Sequence, residues 1–353
     1  MRPFLFEKVG YVDVWTTGAT TKLGAVLMRT FANEATALEY LLKEVPWGNA
    51  AGSGKDAKTM MQYAQASMPH VTFGSIMPHP WDGNPGDNFN YNEVTGNAIN
   101  ALGIPDKGID AHMDDGLSDL RQKVNGKGSQ FWVSVSGRAN NPYNPRDYCD
   151  MANILQITQS ADGVEGNFSC GNQESGGKRK SVVCFDPPLY REGVAALKEG
   201  AGTLKTKVKI APITDPGLLE QLVQPCIDYG IDYVVYANTQ ANCYITNKQG
   251  KPAIPMIRGG LSGRGLRPLI CGGILTIAPM IIDTGLKLIA VGGIESGRDA
   301  YEYLTLGAHG FAFNTVLTRN SYNPDVVEPM FFGNQDEGKA GLVNFLVMNG
   351  LPD

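Results

Sequence analysis

Histidine is scarce in this chain, with 4 in 353 residues. The 6 cysteines (Cys149, Cys170, Cys184, Cys226, Cys243 and Cys271) are scattered, with no CxxC pair. That spacing excludes a zinc or iron–sulfur framework and a disulfide scaffold, and it is the pattern of a reducing, cytoplasmic compartment. Long hydrophobic runs are also missing. No stretch approaches the roughly 20 apolar residues of a membrane span, and Met1 to Glu7 carries no signal-peptide core. Basic charge is sparse: the formal net charge is −5 and the run Lys178-Arg179-Lys180 is short, so no nucleic-acid footprint is expected. Gly54-Lys55 is no Walker loop, because Asp56 stands where Ser or Thr would hold magnesium. What remains is a soluble globular chain with 42% hydrophobic residues and 43 glycines to spend on loops.

Short β-branched or aromatic runs recur, each followed by a polar loop and a helical pattern. Strands are expected at Val45–Ala51, Val71–Ile76, Phe131–Ser136, Val164–Ser169, Val208–Ala211, Tyr233–Ala237, Leu288–Val291 and Gly310–Thr315. Helices are expected over Asp56–Ala66, Gly108–Val124, Arg146–Gln159, Leu189–Glu199, Leu218–Tyr229, Leu266–Thr284 and Gly297–Leu306. Eight βα units predict a closed TIM (β/α)8 barrel more than an open sheet. Residues 1–30, with Gly10 to Trp15, predict a hairpin under the barrel. No linker divides residues 1–353, so a single domain is expected.

The strand ends are polar. In Asn167-Phe168-Ser169-Cys170-Gly171-Asn172, Asn167 and Ser169 share a face of an extended segment and Cys170 opens the next loop. Carboxamides both donate and accept hydrogen bonds, which suits a ligand with C=O and N–H edges. A thiol beside them can accept a proton once ionised. The alternative is a buried Cys between two turn-forming Asn residues. Gly259 to Gly263, Gly292-Gly293 and Asn314-Thr315 fall at the last strands, where such barrels usually bind phosphate. Polar residues at nearly every strand end make a functional site there the expectation.

The order of these motifs resembles the dihydroorotate dehydrogenase family, an FMN-dependent barrel of pyrimidine biosynthesis, over roughly residues 45–320. Gly74 to Pro80 with Gly83-Asn84-Pro85, Asn100-Ala101-Leu102-Gly103-Ile104-Pro105, Asn167 to Asn172, Val208-Lys209-Ile210-Ala211-Pro212, Gly259 to Arg264 and Gly292 to Ser296 carry the resemblance. It implies Cys170 as the base that removes the C5 proton of dihydroorotate while hydride leaves C6 for FMN. It implies Asn100, Asn167, Asn172, Asn238 and Thr239 on the pyrimidine edges, with Leu102, Gly103 and Ile104 in the substrate loop and Lys55 on the substrate carboxylate. Lys209 would sit by the electron-rich edge of the reduced flavin. Ala50, Ala51, Gly52, Ser75 and Ser134 would contact the ring or ribityl chain, with Asn167 and Asn238 also on the cofactor. Gly260, Gly292, Gly293, Asn314 and Thr315 would take the phosphate. FMN is expected in place of FAD because eight assigned strands leave no adenylate-binding unit, and no metal is expected.

Two features depart from the family pattern. Gly171 stands where the family has Pro, which loosens the loop carrying Cys170. Lys55 follows the membrane-bound class, whereas Cys170 and Ser134 to Gly137 follow the soluble class 1. The segment Gln173–Phe185 is long for the family and is expected to form a lid. A soluble acceptor, fumarate, is expected from the Cys base and the polar chain before Asn49; direct NAD use would need a partner chain. A homodimer is the candidate assembly. Two alternatives stay open: a dihydropyrimidine dehydrogenase-like FMN enzyme, and a non-catalytic phosphate- or flavin-binding barrel.

Overall fold

Each of the eight extended segments forms a strand. They are β1 (Trp47–Asn49), β2 (His70–Ile76), β3 (Gln130–Val135), β4 (Gly163–Asn167), β5 (Lys205–Ile210), β6 (Tyr233–Tyr236), β7 (Lys287–Val291) and β8 (Gly310–Phe313). They pair in chain order, all parallel, and β8 closes on β1. The computed structural model describes residues 28–137, 144–170, 174–175, 178–179, 182–321, 323–334 and 339–352.

The strands are buried on both faces, as parallel strands require. Outward residues such as Val71, Phe131, Val164, Val208, Val234, Leu288 and Phe311 pack into one cluster with the helices. Inward residues Trp132, Tyr233, Val235, Ile289 and Ala312 form a second, smaller cluster inside the barrel.

The helices are α1 (Glu34–Lys43), α2 (Ala57–Gln65), α3 (Ile109–Asp114), α4 (Leu117–Asn125), α5 (Arg146–Ile157), α6 (Pro187–Ala201), α7 (Pro216–Asp228), α8 (Arg267–Met280), α9 (Gly297–Thr305), α10 (Thr315–Arg319), α11 (Val327–Phe332) and α12 (Leu342–Asn349). Local chemistry sets the starts of α6 and α7. Asp186 and Asp215 accept the N–H of Leu189 (3.2 Å) and Leu218 (2.7 Å), and the Pro that follows each Asp presets the first helical φ. The one helix expected over Gly108–Val124 is two helices, because Gly116 at φ 81° sits in the left-handed region between them.

Two long loops leave the C-terminal ends of β2 and β6 and meet in a four-stranded antiparallel sheet. Its order is Gln240–Cys243, Gly259–Gly263, Asn97–Asn100, Phe89–Asn92. This sheet lies over the mouth where a barrel of this kind builds its site. Of the hairpin expected over residues 1–30, residues 1–27 lie outside the described residues; Met28–Arg29 pairs antiparallel with Leu351–Pro352. Within the expected lid, Glu174–Ser175 pairs antiparallel with Lys178–Arg179 and Val183–Phe185 forms a single 3-10 turn.

Helices α5 and α6 meet where α6 presents Gly200. A β-carbon there would lie 2.0 Å from the Cys149 carbonyl oxygen, a backbone atom that cannot swing away. Gly200→Ala should therefore separate the two helices and destabilise the fold by about 1–3 kcal/mol, the usual cost of overpacking. Urea unfolding of the variant against the wild type measures it, and an unchanged midpoint would contradict this packing.

Candidate active site

A cleft opens at the C-terminal mouth of the barrel. Ala50 and Ala51 after β1, Lys209 on β5, and Ala237, Asn238 and Thr239 after β6 form one end of it. Gly292, Gly293, Ile294 and Glu295 after β7, with Asn314 and Thr315 after β8, form the other. Ser262, Gly263 and Leu266 close it from the cover sheet and the turn that follows.

A chain of hydrogen bonds between side chains runs beside this cleft. Ser134 and Ser75 share a hydroxyl contact at 2.8 Å, and Asn167 Nδ2 donates to Ser75 Oγ at 2.9 Å. Asn167 Oδ1 accepts from Ser169 N (3.2 Å) and Ser169 Oγ (2.9 Å). Asn238 Nδ2 donates to Ser169 Oγ at 2.9 Å, and Asn238 Oδ1 accepts from Thr239 N at 2.8 Å. Backbone N–H groups on both carboxamide oxygens fix which way each amide faces. Asn167 is itself held from behind, where Tyr148 Oη donates to its carbonyl at 3.0 Å. Ser169, which carried no assigned role in the sequence, is the joint of this chain.

Cys170 follows directly, half-buried. Two ammonium groups, Lys209 and Lys55, lie within electrostatic reach of its sulfur. Lys209 is 3% exposed; burial pulls its pKa down, while the charges of Glu165 and Cys170 oppose that shift. Asn172 lies outside the described residues.

Lys55 sits apart from the cleft lining. Its Nζ donates to Pro105 O (2.7 Å) and pairs with Asp106 (3.1 Å). Asp106 also receives His112 Nε2 at 2.9 Å and the N–H groups of Met77 and Gly108, both at 2.9 Å. Burial raises the Asp106 pKa, but the His112 hydrogen bond, the Lys55 charge and the Met77 N–H outweigh it and bring it to about 2. Burial lowers the Lys55 pKa against the opposing charges of Asp106 and Cys170.

Asn100, Leu102, Gly103 and Ile104 are not among the cleft-lining residues. Asn100 ends a cover strand opposite Gly260, and the next residues form a tight loop. That loop is fixed by Trp81 Nε1 on Gly103 O (2.9 Å) and Asn84 N on Leu102 O (2.9 Å). Gly260 is likewise off the lining, and Ser262 and Gly263 of the same strand take that place, with Thr315 Oγ1 donating to Ser262 Oγ at 3.0 Å. Gly52 (φ 102°) lies against the Asn314 amide. Asn314 Oδ1 is buried with no hydrogen-bond partner. Glu295 brings a carboxylate to the glycine end of the cleft, held by Arg264 at 2.7 Å and Arg319 at 3.4 Å. Glu295 lies inside the Gly292 to Ser296 motif, to which the sequence assigned no carboxylate role.

A closed barrel of eight parallel strands with a cleft at its C-terminal mouth defines a (β/α)8-barrel protein. The family model described as dihydroorotate dehydrogenase matches residues 36–328. The chain belongs to the dihydroorotate dehydrogenase family. It is 28% identical over 284 residues to a protein of Alkaliphilus metalliredigens named dihydroorotate dehydrogenase B (NAD(+)), catalytic subunit, covering 78% of this chain and 84% of that one. A protein of the same name from Methanocaldococcus jannaschii is 27% identical over 272 residues, covering 76% and 82%. The fold is that of the ligand-free dihydroorotate dehydrogenase of Eimeria tenella, with a TM-score of 0.68 at 21% identity, covering 87% of this chain and 86% of that one.

Asp106 holds Lys55 and His112 together, so Asp106→Ala should cost roughly 3 kcal/mol at pH 7 by stranding a buried partner. An acid whose folded pKa is depressed stabilises the protein above its unfolded value of 3.8, and that contribution fades as pH falls toward about 2. The deficit of the variant in urea melts should therefore shrink between pH 7 and pH 3. A deficit that does not change with pH would contradict the ion-pair account.

Proposed function

We infer that this chain oxidises dihydroorotate to orotate in pyrimidine biosynthesis, with FMN as the group that accepts hydride. The observation that carries this reading is the Ser134–Ser75–Asn167–Ser169–Asn238 chain leading to Cys170, beside a cleft floored by Lys209. Family membership over residues 36–328 supplies the reaction class.

The residues present fit FMN. Small side chains at Ala50 and Ala51 leave room for a ring system. The partnerless Asn314 Oδ1 suits a hydroxyl donor such as those of the ribityl chain. Gly292 (φ 127°) and Gly293 (φ 70°) are in conformations that favour glycine, at the usual phosphate end of such barrels. When bound, FMN supplies the two-electron acceptor, and Lys209 supplies positive charge where the ring gains electrons.

The protein's own part is proton transfer and orientation. Cys170 takes the C5 proton of dihydroorotate; the electrons of that C–H bond form the C5=C6 double bond as hydride leaves C6. Asn167, Asn238 and Thr239 hold the imide edges, with Asn100 from the cover sheet; the family pattern adds Asn172, which lies outside the described residues. Lys55 takes the substrate carboxylate by exchanging part of its contact with Asp106. A cleft lined by Lys209, with a second cation, Lys55, held nearby, favours a carboxylated ring over dihydrouracil.

The purified protein should be yellow and should bleach on anaerobic addition of dihydroorotate, while dihydrouracil should leave the colour. No flavin, or bleaching by dihydrouracil alone, would sink the reading. Cys170→Ala should keep its colour and lose turnover by about 10²–10⁴-fold, the worth of a positioned base. Near-normal turnover would remove Cys170 from the chemistry. Asn238→Ala should weaken orotate binding by about 1–3 kcal/mol, because a buried ligand atom loses its partner; unchanged affinity would contradict the clamp.

The electron acceptor has two readings. Fumarate rests on the Cys base. The relatives named NAD(+)-type catalytic subunits favour NAD, reached through a partner subunit. Among the described residues no group of three or more His, Cys, Asp or Glu could hold a metal, so electrons would leave through the partner's groups. The free thiols throughout the chain support a cytoplasmic setting. The chain alone should reduce neither NAD nor a short-chain quinone with dihydroorotate, and should reduce NAD once its partner is added. Fast turnover with fumarate by the chain alone would restore the first reading.

A further inference from the structure

The barrel interior holds a second lysine that the proposed chemistry does not use. Lys207 lies two residues before Lys209 on β5, so both side chains face inward and Lys207 starts one pleat, about 6.6 Å, deeper. It is 3% exposed and is caged by three aromatic groups. Its Nζ is 3.0 Å from His70 Nδ1 on β2, 3.8 Å from the centre of the Trp132 ring on β3 and 5.9 Å from that of Tyr233 on β6. The cage is closed: His70 and Tyr233 each pack edge-on or tilted against Trp132, at 5.1 and 5.8 Å. The Trp132 ring fills the place of a missing side chain at Gly163, where a β-carbon would lie 2.3 Å away.

From β4, Glu165 stands opposite Lys207 in register, with Asn167 opposite Lys209. Glu165 is 3% exposed and its Oε1 has no hydrogen-bond partner. Its charge bears on both lysines. Among the described residues, the other charges that bear on Lys207 are Lys205 and Lys209 on its own strand, and the exposed Lys287 of β7 is in register with Tyr233. Elsewhere β1, β7 and β8 bring Ala50, Ile289, Val291 and Ala312 to the interior cluster, all apolar.

These contacts oppose one another. Aromatic faces and a carboxylate favour an ammonium, while burial and two neighbouring lysines disfavour it. Burial wins most of the contest and Lys207 falls to about 7. Burial, then Lys207 and Lys205, keep His70 well below its usual range, so its Nδ1 accepts from the ammonium. The group is poised to change charge at neutral pH, one pleat beneath the Lys209 floor of the cleft.

We propose that Lys207, held between the His70–Trp132–Tyr233 cage and Glu165, is a positioning residue that takes a proton from solvent when the cofactor above it is reduced and returns it on reoxidation. The inference rests on FMN occupying this cleft. No other bond changes: the amine becomes an ammonium, and the negative charge gained above is matched from below. Reduction favours the protonated lysine, so the cofactor's midpoint potential should fall more steeply with pH through a window near pH 7.

Optical redox titration of the flavin-loaded protein between pH 5.5 and 9 tests this. The titrations are done in a Cys170→Ala background to remove the thiol's own titration. The steep window is expected in that parent and should be lost in Lys207→Met, a swap of similar length that suits an aromatic cage. Glu165→Gln, which withdraws the charge favouring the ammonium, should move the window to lower pH. A parent with no window, a window that survives Lys207→Met, or one unmoved by Glu165→Gln would each overturn the proposal. If Lys207→Met does not fold, the Glu165→Gln displacement decides alone. Protein that carries no flavin absorbance would fail the cofactor reading instead, which keeps the two failures distinct.

Discussion

Closing eight parallel strands on themselves sends every second side chain toward one axis, and the architecture of this protein follows from how that axis is filled. A barrel of this size has an interior that side chains must pack, with no room for water-lined voids. Here Trp132, Tyr233, Val235 and Ile289 fill part of it. The same axis also carries His70, Glu165, Lys207 and Lys209, all buried. Charges so placed are weakly screened, so each one acts on its neighbours and on whatever lies at the mouth. An interior that ends in Lys209 therefore presents directed positive charge to the cleft, without a flexible surface side chain having to be ordered.

The barrel was legible in the sequence because parallel strands buried on both faces read as short apolar runs between loops. All eight expected strands agree with observed ones, mostly within a residue or two at each end. The cover sheet was not legible. Its strands, such as Phe89-Asn90-Tyr91-Asn92 and Gly259-Gly260-Leu261-Ser262-Gly263, are rich in Asn and Gly, residues depleted in strands, and they are half-buried by a context that periodicity cannot express. The strand character of Gly259 to Gly263, paired with Asn97 to Asn100, was therefore hidden in a run that reads as a glycine-rich loop. Helix α1 was missed although Asn33 and Thr36 form a capping box at its start. At the site, Asn167, Asn238 and Lys209 stood out by residue type. Ser169, Glu165 and Lys207 did not, because their importance comes from partners far along the chain.

The amide chain beside the cleft has a further consequence for recognition. Asn167 and Asn238 already use most of their capacity on Ser75, Ser169 and backbone N–H groups. Such internal pairing holds each carboxamide in one orientation before a ligand arrives, which lowers the ordering cost of binding. It also means that a ligand meets a fixed pattern of donors and acceptors. A ring whose edges mismatch that pattern would leave buried amides unpaired, and this is the stronger source of discrimination between polar analogues.

Lys55 shows the opposite arrangement. Its ammonium rests on Asp106 and Pro105 O at the end of a relay that includes His112 and two backbone N–H groups. The Asp106 carboxylate keeps its other three donors whether or not Lys55 is present, so withdrawing the lysine does not leave a bare buried anion. A substrate carboxylate that reached Lys55 would compete with two contacts on the protein side, the Asp106 carboxylate and the Pro105 carbonyl. The same relay fixes where the lysine waits, beside the loop of residues 100–106 and within electrostatic reach of Cys170. A cation that is held yet exchangeable can meet an anionic substrate without lying exposed and solvated between turnovers.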